Sequence, residues 1–417
     1  MSILNTPFTL PNGTVLKNRI AKSAMSENLA NKDNSPSKEI IRAYKRWGEG
    51  GLGLNITGNV MVDSKALNAP GNIVIEDRRH LDLLKLWTST VLESSDGHLW
   101  TQINHPGRQS TPGISKEIIA PSAVPLKIKG GSMLFKPPKE MTEEQILEQI
   151  VRYANCAEIS KEAGFTGVQI HGAHGYLVSQ FLSPITNKRK DKWGGNLENR
   201  VRFVVEIYEE MLRRVGADFP IGIKINSADF QRGGFTEEES MEVVSILSSL
   251  DIDLIEISGG TYEKAAMMGA AKKKSTRERE AYFLDYVEKV RKKTDTPLML
   301  TGGFRTVSGM EEALQEGHLD IIGLARPFSM FPDLADRIFN NELTELNVPT
   351  ALTGVKAIDR MGFVDIFWHE VQIKRLGLGL KPDPKLSAWS AIANNVGGTL
   401  GKLMPSIPFL SGGSRGF

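Results

Sequence analysis

The sequence predicts an α/β fold of the (β/α)8, or TIM-barrel, class with a C-terminal extension, and three observations support that reading. Short apolar runs of strand type alternate with amphipathic helical stretches over most of the chain, the layout of βα units repeated around a parallel sheet. Eight such runs occur, the number that closes a barrel. No GxGxxG run links a first strand to its helix, as a doubly wound dinucleotide-binding sheet requires, and the glycines sit late instead.

The eight strands are expected near Arg19–Ala24, Leu52–Thr57, His98–Asn104, Thr166–His171, Pro220–Asn226, Ile252–Ser258, Pro297–Thr301 and Leu319–Ala325. Their continuous apolar content suits strands buried on both faces. Thr142 with Gln145, and Thr236 with Glu239, have capping-box spacing ahead of apolar-periodic stretches and mark helix starts. Ile146, Ile150, Tyr153, Ala154 and Ala157 continue the first of these at helical spacing, and Gly164 stands where a helix needs a left-handed C-terminal residue. The alternation stops near Leu346, where Pro349, Pro382, Pro384, Pro405 and Pro408 punctuate short apolar pieces. Residues 1–345 therefore form the barrel, and residues 346–417 form an extension that packs on it or on a sister subunit of a homo-oligomer. Within the extension Trp389, Ile392, Val396 and Leu400 share one helical face, read as the packing surface.

A chain of 417 residues, 40% hydrophobic and 24% charged, has material for a large core. Its net charge of +2 is far from the one-sided balance that sustains non-specific phosphate-backbone binding, so nucleic acid is not an expected partner. The basic runs Lys272–Lys274 and Arg291–Lys293 read as solvated surface. The single cysteine, Cys156, rules out an intrachain disulfide and a cysteine-ligated cluster. The chain starts without a secretory pattern and has no apolar run long enough to cross a bilayer, which points to a cytoplasmic protein away from the membrane.

In a (β/α)8 barrel the reactive groups follow the strands at their C-terminal ends. Strand one runs into Met25-Ser26, strand three into Asn104-His105 and strand four into His171-Gly-Ala-His174-Gly-Tyr176, while Lys224 sits near the end of strand five. All are expected at one mouth. Two imidazoles three residues apart can donate paired hydrogen bonds to an oxygen on which negative charge develops, and Tyr176 can supply a proton. A metal is the competing reading of a histidine pair, but no Asp or Glu accompanies it locally and the spacing fits no familiar zinc helix, so no metal is expected. His80, His98, His318 and His369 stand alone and receive no role. Strand seven ends in Gly302-Gly303 and strand eight in Ala325-Arg326, where small residues and an arginine suit a phosphate.

The run from His171-Gly-Ala-His174-Gly-Tyr176 through Gln180-Phe-Leu-Ser-Pro184 to Asn187, Arg189, Asp191, Gly194-Gly195 and Glu198-Asn-Arg200 strongly resembles the Old Yellow Enzyme, or NADH:flavin oxidoreductase, family. Asn12-Gly13, Leu16-Lys-Asn-Arg-Ile20, Gln102 and His105-Pro-Gly-Arg108 support it, and the similarity covers about residues 1–345. The resemblance implies FMN held at the barrel mouth, reduced by NADH or NADPH and reoxidised by an α,β-unsaturated carbonyl in a ping-pong scheme. It implies that Ser23, Ala24, Met25 and Ser26 with Thr57 and Gln102 hold the flavin ring, and that Lys224 faces its N1/O2 edge. It further implies Gly302, Gly303, Ala325 and Arg326 on the phosphate, His171 and His174 on the substrate oxygen, and Tyr176 as proton donor. Ser26 and Lys224 stand where relatives usually have cysteine or threonine and, in many, arginine, and Asn28 stands where one subgroup places a tyrosine. A flavin-dependent demethylase or dehydrogenase on the same barrel, or a catalytically silent FMN-binding protein, are the alternatives.

Overall fold

The computed structural model describes residues 2–127, 136–261, 263, 283–359 and 362–403, so the expected basic run Lys272–Lys274 lies outside the described residues. All eight expected strands form: β1 (Ile20–Lys22), β2 (Leu54–Met61), β3 (His98–Asn104), β4 (Gly167–Gly172), β5 (Ile221–Asn226), β6 (Leu254–Ser258), β7 (Leu298–Thr301) and β8 (Ile321–Leu324). Each pairs in parallel with its sequence neighbour. The ring closes where Ile322 of β8 lies beside Ile20 of β1. The strands are buried almost throughout because helices cover one face and side chains fill the barrel against the other.

The barrel is filled from the bottom. Ala21, Leu54, Ile56, Trp100, Leu254, Met299 and Ile321 form an interior cluster with Leu10 and Leu16 of an N-terminal hairpin. That hairpin, Phe8–Thr9 against Val15–Leu16, seals the end where the strands begin. It is tied there by the Asn12 amide donating to Asp253 Oδ1 at 3.2 Å and by His98 Nε2 at 3.0 Å from Val15 O. Trp100 occupies the middle, and its neighbours must be small. A Cβ on Gly167 would fall 2.4 Å from Trp100 Nε1, and one on Gly222 3.0 Å from its Cζ3.

Outside the barrel run α1 (Lys38–Gly48), α2 (Leu81–Leu92), α3 (Glu143–Glu162), α4 (Leu197–Val215), α5 (Glu237–Ser248), α6 (Leu284–Arg291) and α7 (Val307–Gln315). Both expected capping boxes are present, at Thr142 with Gln145 for α3 and Thr236 with Glu239 for α5. Gly164 follows α3 with φ +93°, a left-handed conformation that leads the chain back into β4.

Beyond β8, two short helices at Pro327–Met330 and Leu334–Phe339 are followed by α8 (Phe363–Gly377) and α9 (Ala388–Leu403) of the extension. Helix α8 lies directly on α1: Arg42 Nη1 donates to Gly377 O at 2.9 Å, and a Cβ on Gly377 would come within 2.7 Å of Glu39 O. Helix α9 packs on α8 through Ala391, which clusters with Trp368 and Val371, and Asn395 Nδ2 donates to Phe367 O at 3.2 Å. Of the face expected to pack on the barrel or a sister subunit, Trp389 is 51% exposed and Ile392 half-buried in the single chain. The side chains of Val396 and Leu400 lie outside the described residues.

Thr142→Ala removes the α3 cap while leaving the helix face intact, and a loss of about 1 kcal/mol is expected in the free energy of urea unfolding.

Candidate active site

A cavity of about 600 Å3 opens at the C-terminal ends of the strands, the volume of a site for a large organic ligand. Ala24, Met25 and Ser26 after β1, Gln102 of β3, His171 of β4 and Lys224 of β5 line it, with His174 and Tyr176 beyond β4. Gly302 and Gly303 after β7 and Ala325 and Arg326 after β8 complete the set that the sequence places at this mouth. Gly302 and Gly303 hold φ of +130° and +97°, backbone that side-chain-bearing residues rarely adopt, so the turn presents main chain to the cavity.

The loop after β4 owes its shape to a second strand. Asn226 Oδ1 at the end of β5 accepts the His174 amide at 3.1 Å and helps hold that residue at φ +61°, a sparsely populated conformation for a residue with a Cβ. The His171 ring then stands edge-to-face with His174 at 5.1 Å and with Tyr176 at 4.7 Å between centroids. Burial first, then Lys224 and, for His171, the neighbouring His174, depress the imidazoles: His171 and His174 both titrate well below the ordinary histidine range and are neutral at pH 7. The Ala173 amide donates to His171 Nδ1 at 3.3 Å, which puts the proton of the neutral ring on Nε2. His174 Nε2 lies 2.9 Å from Ser258 Oγ, so when that hydroxyl donates, Nδ1 carries the His174 proton. Asn59 and Asn68 donate to the Tyr176 oxygen at 3.3 and 2.9 Å.

Beneath the mouth a belt of polar side chains crosses the barrel interior. Gln102 Nε2 donates to Gln169 Oε1 at 2.8 Å, and Gln169 Nε2 to Glu256 Oε2 at 2.7 Å. Lys224 Nζ is 2.7 Å from Glu256 Oε1, with both side chains almost fully buried. Thr301 Oγ1 donates to the same oxygen at 2.7 Å and meets Ser23 Oγ at 2.6 Å. Burial alone would raise the Glu256 carboxyl, but Lys224, then the bonds from Thr301 and Gln169, outweigh it and hold the group below its ordinary value. Lys224 therefore carries its charge on the cavity floor with its counter-ion behind it.

Three expected residues sit elsewhere. Thr57 does not line the cavity: its Oγ1 donates to Gly58 O at 2.9 Å and accepts the Gln102 amide at 2.9 Å, because an irregularity in the pairing of β2 with β3 brings Asn59 to the wall in its place. Ser23 lies below the wall in the belt. His105 turns away, its Nδ1 accepting the Gly107 amide at 3.0 Å, and burial drives its pKa down to about 3. Conversely, His369, which the sequence left without a role, lines the cavity from α8, with Nδ1 2.7 Å from Ser329 Oγ. Asp365, Ile366 and Ile373 of α8 join it, and Asp365 Oδ2 pairs with Arg326 Nη1 at 3.1 Å. A wall built by a helix that begins at Phe363, far along the chain from the loop ending at Tyr176, leaves no trace in local spacing.

The donor set fits a flavin mononucleotide. The cavity volume, the main-chain turn at Gly302-Gly303 beside Arg305 and Arg326, and a fixed cation at Lys224 provide for a planar ring, an anionic tail and a ring that becomes negative on reduction.

Lys224→Met leaves Glu256 buried without its cation, and a loss of about 3–5 kcal/mol in unfolding free energy is expected, partly restored by adding Glu256→Gln. His105 has a depressed folded pKa, so its contribution to stability is complete above the unfolded value of 6.5 and is lost as pH falls from 6.5 towards 3. The slope is about 1.4 kcal/mol per pH unit. Urea titrations at pH 7 and pH 5 should show a shallower pH dependence in His105→Asn than in the parent.

With this geometry in place, the relatives are informative. Residues 4–345 match the sequence model of the NADH:flavin oxidoreductase / NADH oxidase family. The chain is 37% identical over 346 residues to the NADH-dependent flavin oxidoreductase nadA of Aspergillus parasiticus, covering 80% of this chain and 77% of that one. A 2-naphthoyl-CoA reductase in complex with 2-naphthoyl-CoA superposes with a TM-score of 0.75 at 28% identity, over 81% of this chain and 52% of that longer one. The Old Yellow Enzyme homologue of Zymomonas mobilis shares the fold at a TM-score of 0.69 and 24% identity, over 82% and 93% of the two chains. The chain therefore belongs to the NADH:flavin oxidoreductase / NADH oxidase family, that of the Old Yellow Enzymes, and is an oxidoreductase with FMN as its cofactor and NAD(P)H as its reductant.

Proposed function

We propose that the protein is an ene-reductase that uses NADH or NADPH to reduce the activated C=C bond of an α,β-unsaturated carbonyl compound. The observation that carries this reading is the cluster of two neutral imidazoles and a phenol on the cavity wall above a buried cation. The related reductase bound to 2-naphthoyl-CoA, an aromatic ring conjugated to a carbonyl, is in keeping with it.

Bound in the cavity, FMN would supply the hydride chemistry that links nicotinamide and acceptor. Lys224 would offset the negative charge of a reduced ring, and Glu256 holds its Nζ in place. Ala24, Met25, Ser26 and Gln102 hold the ring, with Ser23 and Thr57 bracing that wall from behind. Gly302, Gly303, Ala325 and Arg326 hold the phosphate. His171 donates from Nε2 and His174 from Nδ1 to the acceptor's carbonyl oxygen, so enolate charge develops against preset donors. Tyr176 gives its proton to the α-carbon, and the amides of Asn59 and Asn68 stabilise the phenolate left behind.

The barrel of residues 1–345 carries this chemistry, and the extension of residues 346–417 completes the wall of the site through α8. Among the described residues no helix is long and apolar enough to cross a membrane, and a cytoplasmic setting with its NAD(P)H supply suits the reaction.

Anaerobic stopped-flow separates the half-reactions. Tyr176→Phe should bleach the flavin with NAD(P)H at nearly the parent rate and slow reoxidation by cyclohexenone about 10²–10⁴-fold. Equal slowing of both steps removes Tyr176 from the donor role. His171→Ala with His174→Ala should abolish the long-wavelength band formed with phenolic ligands. Flavin that NAD(P)H reduces but no enone or nitroalkene reoxidises rejects the ene-reductase reading.

A further inference from the structure

His174 stands on backbone that its own side chain disfavours. A φ of +61° brings a Cβ against the neighbouring peptide, and a residue other than glycine keeps such a conformation only where surrounding groups impose it. Two buried amide side chains impose it here. Asn226, at the end of β5, accepts the His174 N–H at Oδ1, and Gln109, in the turn after β3, donates from Nε2 to the His174 carbonyl, each at 3.1 Å. Both side chains are almost fully buried, and neither lines the cavity. His174 is thus gripped on either side of its Cα, from two different strands.

The orientation of each amide is fixed by its partners. A backbone N–H can only donate and a backbone carbonyl can only accept, so no protonation state enters either contact. Asn226 turns Oδ1 to His174, which leaves Nδ2 to donate to Gly260 O at 3.0 Å, on the loop after β6. Gly260 lies two residues past Ser258, whose hydroxyl meets His174 Nε2 at 2.9 Å. One side chain thereby ties the His174 main chain to the loop that carries the partner of its ring. The turn that bears Gln109 is braced in its own right. Gln180 Nε2 donates to Pro106 O at 3.1 Å and to Gly175 O at 2.7 Å, and Gln180 Oε1 accepts the Arg108 amide at 3.2 Å.

We propose that Asn226 and Gln109 are positioning residues that clamp His174 in left-handed backbone and so hold its imidazole where the acceptor's carbonyl oxygen binds. Without the clamp the residue relaxes towards the right-handed or extended regions, and the ring swings away from its place beside His171. The clamp acts through His174 alone, since neither amide touches the cavity. This rests on the reading of His174 as a donor to that oxygen.

The test uses the full-length holoprotein and reads three quantities: the affinity of p-hydroxybenzaldehyde from its long-wavelength band, the rate of flavin reoxidation by cyclohexenone, and FMN affinity from flavin fluorescence on dilution. Gln109→Met and Asn226→Leu remove the polar contacts at similar volume. Each should weaken binding of the phenol about tenfold and slow reoxidation about 10–100-fold, with FMN affinity at the parent value. In a His174→Ala background both substitutions should add nothing, because no imidazole is left to place. Should Asn226→Leu fail to fold, Gln109→Met carries the test, because it leaves β5 untouched. Parent-like phenol affinity in Gln109→Met, an equal loss of FMN affinity, or undiminished losses in the His174→Ala background overturn the proposal and leave the donor reading standing. A His174→Ala variant that binds the phenol and is reoxidised as the parent is overturns both.

Discussion

The ion pair between Lys224 and Glu256 is the constraint to which the rest of the site is fitted. A cation at the floor of the cavity cannot stand unpaired in a barrel interior, since the cost of desolvating it is several kcal/mol. The carboxylate that answers it needs further donors, and Gln169 and Thr301 supply them from neighbouring and next-neighbouring strands. Gln102 then satisfies Gln169, and Ser23 meets Thr301, so the demand for partners propagates around the barrel until each group is served. The belt divides the interior into two regimes. Below it the filling is apolar and ends at Trp100 and the N-terminal hairpin; above it the walls carry groups that hold charge or protons.

The eight strands were legible because burial on both faces writes itself into the sequence as continuous apolar runs, and β3 forms over the residues expected, His98–Asn104. Capping boxes are equally local, and both were found where Thr142 and Thr236 announce them. The histidine loop was legible for a different reason. His171, His174 and Tyr176 lie within six residues, so one turn brings them together. What the sequence hid are the partners that come from far away or depend on a backbone irregularity. Glu256 is an acidic residue in an apolar run, with nothing nearby to connect it to Lys224. Asn59 reaches the wall, and Thr57 leaves it, through a register shift in β2 that no residue type signals. Within the single chain, α9 meets α8 through Ala391, a small residue that hydrophobic periodicity does not single out.

The extension belongs to the site by the same logic. A helix that packs on α1 through Gly377 is placed beside the segment after β1 and the short helix after β8, and its side chains fall on both. His369, Asp365 and Glu370 recur at helical spacing on α8, so a single docking event delivers all three.

The hairpin closes the end of the barrel where the strands begin, so the cavity opens at the end where they finish. Reductant, acceptor and products all use that opening, and whichever is in excess occupies it at the expense of the others. On the proposed chemistry, a plugged floor means that reductant and acceptor approach the same face of the site, each excluding the other while it is bound.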